Sequence, residues 1–131
     1  MVKIIYSNYK MRVHLKKSPR FDKKFRVTFE NGRTVDFGTR GYSDYTKHGN
    51  PIRMRAYVSR HGGFIPYMIR QHKDPKFVHE SMLDVTRSNR ENWGKTGIYT
   101  AGFWSRWLLW SYPDLEKSKK FISKKFDLVF L

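Results

Sequence analysis

The chain has 131 residues, with 27 Lys and Arg against 11 Asp and Glu, and a formal net charge of +16. Apolar residues make up 39% and aromatic residues 17% of the sequence, which excludes a disordered basic tail, because such a tail has few side chains to bury. Zero cysteines exclude disulfides, thiolate metal sites and cysteine nucleophiles, and fit a reducing compartment. We therefore expect one small basic domain over residues 1–131.

The positive charge is unevenly distributed. Residues 1–40 hold 11 Lys and Arg but only 3 Asp and Glu, so half of the net charge lies in less than a third of the chain. A field of this kind attracts nucleic acid, anionic membranes and acidic protein surfaces alike. The longest apolar runs are far shorter than the roughly 18 to 20 residues that span a bilayer, so neither a transmembrane segment nor a signal peptide is predicted.

The amino-terminal part favours β-structure. Residues 2–16 predict one or two short strands, and residues 24–37 predict a hairpin because apolar residues alternate on both sides of Asn-Gly. A two-residue loop would place Val27 opposite Asp36 and put the two apolar rows on different faces. A three-residue loop with Gly32 in the left-handed conformation places Val27 opposite Val35, and we predict this register.

The remainder favours helices. Asn50 and Pro51 predict the start of a helix that ends at residues 61–63. Residues 75–88 repeat the pattern and predict a second helix. Thr100 can cap a third helix that extends to Trp110, and a lysine-rich fourth helix begins near residues 112–114. Residues 127–131 form a strand that can return to the amino-terminal sheet. The predicted fold is α+β, a small antiparallel sheet packed against three or four short helices.

Patterns for metal, nucleotide and catalytic sites are weak. The five histidines do not have the close spacing of metal ligands on one helix. The run Gly-Lys-Thr-Gly at 94–97 lacks the glycine that a phosphate-binding loop requires at position 89, so its glycines more simply serve a sharp turn. We predict no metal, no cofactor, no small-molecule substrate and no enzymatic activity.

One polar cluster has two interpretations. Its members lie close together in sequence and carry groups that nucleases use: Tyr42, Asp44, Tyr45, His48 and Arg53. The alternative is a hydrogen-bonded loop held against the first helix. Because the acidic residues of the chain are scattered among basic ones rather than paired, we favour the loop.

The tryptophan-rich helix separates into two faces. Trp104 and Trp107 have the spacing of one apolar face and are predicted to lie in the core. Trp110 and Tyr112 fall partly on another side. If they are exposed, they form with Arg106 the aromatic and arginine-rich surface that binding hot spots favour.

The amino-terminal segment interleaves lysines and arginines with aromatic residues. No RNA-binding signature, zinc-finger pair or basic leucine zipper accompanies it, so the pattern is electrostatic only. Together with the tryptophan-rich helix it supplies the predicted partner-binding residues, which are Lys10, Arg12, Lys16, Lys17, Arg20, Arg106, Trp110 and Tyr112.

Residues 24–61 and 91–110 resemble an uncharacterised family of small basic proteins of nucleocytoplasmic large DNA viruses. The most specific matching stretches are Gly-Tyr-Ser-Asp-Tyr-Thr at 41–46 and Thr-Ala-Gly-Phe-Trp-Ser at 100–105, supported by the hairpin, His48, Arg60-His61 and Glu91-Asn92-Trp93. The resemblance covers somewhat under half of the chain. In the family, Arg-His is followed closely by Glu-Asn-Trp, which implies that residues 62–90 are an insertion here.

The resemblance implies a viral setting and carries over no catalytic residues. We expect a non-enzymatic virion structural protein, a minor capsid protein made and assembled in the host cytoplasm, whose basic and aromatic surface binds larger capsid proteins, including a major capsid protein. The alternative is a nucleic-acid-binding protein that packages or condenses DNA.

Overall fold

The computed structural model describes residues 10–131 and has an α+β fold. Its sheet has four strands in the order β3-β2-β1-β4, with bounds β1 Met11–Lys17, β2 Lys23–Phe29, β3 Thr34–Thr39 and β4 Leu128–Phe130. The first three strands are antiparallel neighbours, whereas β4 runs parallel to β1. The predicted return of the last strand is confirmed. The predicted small antiparallel sheet is confirmed for β1 to β3, and β4 joins its edge in parallel after the intervening helices carry the chain across.

The hairpin between β2 and β3 has the predicted register. Val27 lies opposite Val35, and Phe25 lies opposite Phe37. Gly32 has φ +86°, the left-handed conformation that completes the three-residue loop. Of the predicted strands over residues 2–16, the part from Met11 onward is β1, and residues 2–9 lie outside the described residues.

Six α-helices follow the hairpin. They are α1 Tyr45–His48, α2 Pro51–Arg60, α3 Tyr67–Arg70, α4 Pro75–Leu83, α5 Ala101–Trp104 and α6 Leu115–Phe126. A 3-10 turn, Lys95–Gly97, precedes α5, and a π-helical turn, Ser105–Leu109, continues it. The helix predicted over 75–88 ends at Leu83, and the one predicted through Trp110 changes to π geometry after Trp104.

Capping side chains fix the starts of three helices as the sequence predicted. Asn50 accepts hydrogen bonds from the backbone of Ile52 and Arg53 at the start of α2, and Thr100 accepts one from Phe103 at the start of α5. Asp114 caps α6 in the same way. These caps orient α2 and α5, which carry the residues of the candidate site.

The core lies between the sheet and α5 with its π-turn. Trp104 and Trp107 are fully buried, as predicted. Trp104 packs against the rings of Phe29 and Phe37 from the hairpin, and Trp107 packs against Phe126 of α6. The tryptophan-rich helix therefore joins the sheet to the last helix.

The two ends of residues 62–90 lie at nearly the same place, while the segment between them packs into the core through Val78 and Met82. The backbone of Asn89 donates to the Gly62 carbonyl at 3.1 Å, and the Ser88 hydroxyl donates to the His61 carbonyl at 2.6 Å. A chain that leaves and rejoins at adjacent points has the geometry an insertion requires. That this segment is an insertion stays a prediction.

Candidate functional site

A cavity of about 420 Å³, here called the central groove, lies where six parts of the chain meet. Its walls come from the start of β2, the end of β3, the following loop, α2 with the residue after it, the residue after the 62–90 segment, and α5 with its π-turn. The side chains that define it are Tyr42, Ser43, Arg53, Tyr57, Arg60, His61, Glu91 and Trp110. A volume of this size is typical of ligand-binding clefts.

Tyr57 of α2 is the buried aromatic wall of the central groove. Its ring lies between the ring of Trp110, 4.4 Å away and 7° from parallel, and the imidazole of His61, 4.1 Å away. These contacts fix the direction of its hydroxyl. That hydroxyl is buried and has no hydrogen-bond partner among residues 10–131. Burial raises the pKa of Tyr57, so the hydroxyl keeps its proton and is a donor at neutral pH.

Glu91 forms the acidic part of the wall. One carboxylate oxygen accepts a hydrogen bond from the Trp93 indole at 2.8 Å, and the other lies 3.1 Å from Nδ1 of His61. The carboxylate also packs on Gly102, where an added Cβ would lie about 3 Å from it. Glu91 is thereby engaged on three sides and serves to hold the wall together.

The polar cluster predicted near residue 44 is a hydrogen-bonded loop. Asp44 is buried, accepts from the backbone and hydroxyl of Thr46, and pairs with Lys24 at 2.6 Å. The hydroxyl of Tyr45 bonds to Nδ1 of His79 at 2.7 Å, and Nδ1 of His48 accepts from the backbone of Asn50. These groups therefore face structural partners rather than a common reacting position.

Three cations facing the central groove have no counterion in the described part of the chain. They are Lys23, Arg53 and Arg60, and no ion pair or side-chain hydrogen bond involves them there. On the same wall, Asp44 is paired with Lys24, and Glu91 is hydrogen-bonded to the Trp93 indole and the His61 imidazole. The groove therefore has an excess of positive charge at its mouth and a hydroxyl donor on its wall.

A larger and more open groove of about 750 Å³ lies on the other side of the Tyr42–Asp44 loop. Lys24 there pairs with Asp44, and the Arg40 guanidinium donates to the carbonyls of Ser18 and Lys23. Half of its four cations are thus used to hold the loop. This groove has no buried polar group without a partner, so we regard the central groove as the stronger candidate.

The predicted basic residues of the amino-terminal strand are exposed. Lys10, Arg12, Lys16 and Lys17 lie at the surface along β1 and just before it. Arg20 is also exposed, but it forms a two-point ion pair with Asp22. Within residues 10–131, Lys10, Arg12, Lys16 and Lys17 form no ion pair, and the last three of them lie on β1.

Arg106 is a correction to the predicted surface. It is 0% exposed, and its guanidinium donates to the backbone carbonyls of Met82, Val85 and Trp110. It also lies 4.3 Å from the centre of the Trp107 ring. The π-turn rotates Arg106 inward, where carbonyl groups replace the counterion. Arg106 is therefore not available to a partner.

Trp110 and Tyr112 do not form the exposed patch that the sequence suggested. Trp110 is buried between Tyr57 and His48 and belongs to the wall of the central groove. Tyr112 is half-buried and lies beside α6, in a groove here called the lysine groove. The lysine groove is lined by Tyr112, Lys117, Lys120, Phe121, Lys124 and Lys125.

The structure exposes an apolar surface that the sequence interpretation missed. Phe64, Tyr67 and Met68, here called the aromatic turn, are 56%, 77% and 85% exposed at the start of α3. Ile65 and Ile69 between and beside them are turned inward. In the sequence, Pro66 could have indicated this surface. It precedes a single helical turn, Tyr67–Arg70, which is too short to bury all of its apolar residues.

Residues 10–131 contain no group of three or more His, Asp or Glu side chains arranged to hold a metal ion. Within the same range, no helix combines the length and the apolar character needed to cross a membrane.

Part of the chain matches a known protein family. A family model described as Family of unknown function (DUF5754) matches residues 13–61, from β1 to the end of α2. No curated protein and no solved structure matches the chain. The matched range ends at the residue where the 62–90 segment leaves the body, and it includes the Tyr42–Asp44 loop and Tyr57 of the central groove.

Proposed function

We propose that this protein is a non-enzymatic structural protein of a virus particle, a minor capsid protein that binds larger capsid proteins, including a major capsid protein, and cements them. It is synthesised and assembled into particles in the host cytoplasm. The viral setting derives from the resemblance of residues 24–61 and 91–110. The binding role derives from the distribution of charge and exposed apolar groups.

Many acidic side chains form ion pairs, hydrogen bonds or helix caps within the protein, and this supports a binding role because it leaves the surface charge positive. Asp36 pairs with Arg26, Asp44 with Lys24 and Glu91 with His61, while Asp114 caps a helix. Most of the 27 Lys and Arg side chains have no such partner among residues 10–131. A surface of this kind attracts an acidic partner and speeds its association.

The aromatic turn is the observation that carries the proposal. Two consecutive large apolar side chains, Tyr67 and Met68, are more than three-quarters exposed, and Arg70, Lys73 and Lys76 follow closely. Aromatic residues, Met and Arg are enriched in protein interfaces. Phosphate binding by itself gains little from an exposed methionine. The combination therefore favours a protein partner over a bare nucleic-acid backbone.

Fractionation of purified particles tests the proposal. We expect the protein to remain with the capsid shell when particles are opened and washed with increasing salt, because apolar contacts are not weakened by salt screening. Mass spectrometry of the shell and genome fractions measures its distribution. Complete absence from purified particles would contradict the proposal.

Nucleic-acid binding is the second candidate, and the lysine groove favours it. Lys117, Lys120 and Lys124 lie on one face of α6 beside the Tyr112 ring, an arrangement that can follow a phosphate backbone while a ring stacks on a base. If about eight phosphates are contacted, the logarithm of affinity for duplex DNA should fall with a slope of roughly −7 against the logarithm of salt concentration. A slope near zero would remove this candidate.

A further inference from the structure

We propose that the central groove binds a carboxylate group carried by an acidic segment of a partner protein, with the Tyr57 hydroxyl and the guanidinium groups of Arg53 and Arg60 as donors. This inference rests on the proposed function and gives the partner a chemical character. It assigns to the central groove a role distinct from that of the aromatic turn.

The Tyr57 hydroxyl needs a hydrogen-bond acceptor that residues 10–131 do not supply. A buried hydroxyl without a hydrogen bond is costly, and native proteins contain few of them. Tyr57 is 6% exposed, lines the central groove, and has no hydrogen-bond partner in the described range. The rings of Trp110 and His61 hold it on both faces, so it cannot turn to find another acceptor. An acceptor atom supplied by a bound group satisfies it.

The charges around the groove define that acceptor. Arg53 and Arg60 lie on either side of Tyr57 on α2, each about one turn from it, and neither has a counterion in residues 10–131. A guanidinium group matches a carboxylate in planar two-point geometry. The bound group is therefore an anionic oxygen acceptor rather than a neutral one.

The rest of the wall distinguishes a carboxylate from a phosphate. Glu91 and Asp44 both line the groove and repel a doubly charged group more than a singly charged one. Leu109, Trp110 and Ala101 supply apolar contacts for the carbon stem of an Asp or Glu side chain. A singly charged carboxylate on an aliphatic stem therefore matches the wall better than a doubly charged phosphate does.

The test uses the full chain and a hexaglutamate peptide as the probe. Calorimetric titration should show that Tyr57→Phe weakens hexaglutamate binding about tenfold, since the variant removes one hydrogen bond to a charged group and keeps the ring stack. Urea unfolding of the same variant should show unchanged or increased stability, because an unsatisfied hydroxyl is removed. Arg53→Gln and Arg60→Gln should each weaken binding, whereas Arg12→Gln, which removes an equal charge from β1, should change it much less.

The outcomes separate the alternatives. Equal binding of hexaglutamate by Tyr57→Phe and wild type overturns the proposal, as does a clear loss of stability, which would mean that the hydroxyl has a partner within the protein. Stronger protection of the Tyr57 region by inorganic phosphate or a short DNA duplex than by hexaglutamate also overturns it. If the protein is found in the capsid shell but does not bind hexaglutamate, this inference is refuted and the proposed function is not. Intact binding by a protein absent from particles refutes the proposed function alone.

Discussion

The guanidinium of Arg106 donates a hydrogen bond to the carbonyl oxygen of Val85, 3.2 Å away, and so ties the π-turn to the 62–90 segment. The same guanidinium donates to the carbonyls of Met82 and Trp110 and forms no ion pair within residues 10–131. Burial lowers the pKa of Arg106 to about 10, which leaves it charged at neutral pH. A buried cation held by carbonyl groups alone depends on all of them being in place.

Replacing Arg106 should therefore destabilise the fold strongly. We expect Arg106→Leu to lower the free energy of unfolding by about 3 kcal/mol, because buried carbonyls lose their donor. Arg55→Leu is the matched control, since Arg55 donates to the carbonyls of Ile69 and His72 at a half-buried position. It should cost about 1 kcal/mol. Equal urea midpoints for the two variants would mean that the hydrogen bonds of Arg106 stabilise the fold no more than those of Arg55.

Gly97 should tolerate no side chain. A Cβ at this position would overlap the carbonyl oxygen of Asn92, whereas a Cβ at Gly94 would lie 3.6 Å from its nearest neighbour. We expect Gly97→Ala to cost about 2 to 3 kcal/mol and Gly94→Ala less than about 0.5 kcal/mol, as measured by thermal or urea unfolding. Similar losses of stability in the two variants would contradict our explanation, which is that close packing against Asn92 requires a glycine at position 97.

Acidification should reduce stability through two histidines. Burial lowers the pKa of His48 and of His79 below the ordinary value of 6.5. Since the unfolded chain takes up protons first, their contribution is complete above pH 6.5 and is lost as the pH falls from there through the folded-state pKa. Urea midpoints should therefore be lower near about pH 5.5 than near about pH 7.5.

The histidine prediction has a direct control. Changing both His48 and His79 to Gln should flatten the pH dependence between those conditions, whereas His14→Gln, at an exposed position on β1, should leave it as in the wild type. An unchanged pH dependence in the double variant would assign the effect to other groups.

The sequence predicted the local elements well because local rules determine them. The hairpin register followed from two apolar rows and one glycine, Gly32, that can adopt positive φ. The starts of α2, α5 and α6 followed from Asn50, Thr100 and Asp114, whose side chains cap the next turn. These signals lie within a few residues of the structure they specify.

The sequence did not predict the central groove or the burial of Arg106, because both depend on distant segments. An arginine in this helix is expected at the surface. Arg106 is buried because the π-turn directs it inward and the carbonyls of Met82 and Val85 accept its hydrogen bonds. The groove joins Tyr42, Tyr57 and Glu91 from three separate parts of the chain. Spacing along the sequence contains no direct record of such contacts.

The aromatic turn should act in binding and not in folding. We expect the double variant Tyr67→Ser with Met68→Ser to unfold at the wild-type urea concentration, since both side chains are mostly exposed, while its association with capsid shells is lost. Phe21→Ser is the control, because Phe21 is similarly exposed but lies in the β1–β2 connection. It should fold and bind as the wild type does.

Whether the protein binds capsid proteins is best measured by its affinity for genome-free capsid shells compared with duplex DNA, in parallel at physiological ionic strength. We expect binding to the shells that survives added salt and is lost in the Tyr67→Ser, Met68→Ser variant. Binding to DNA alone, with no measurable association with the shells, would contradict it.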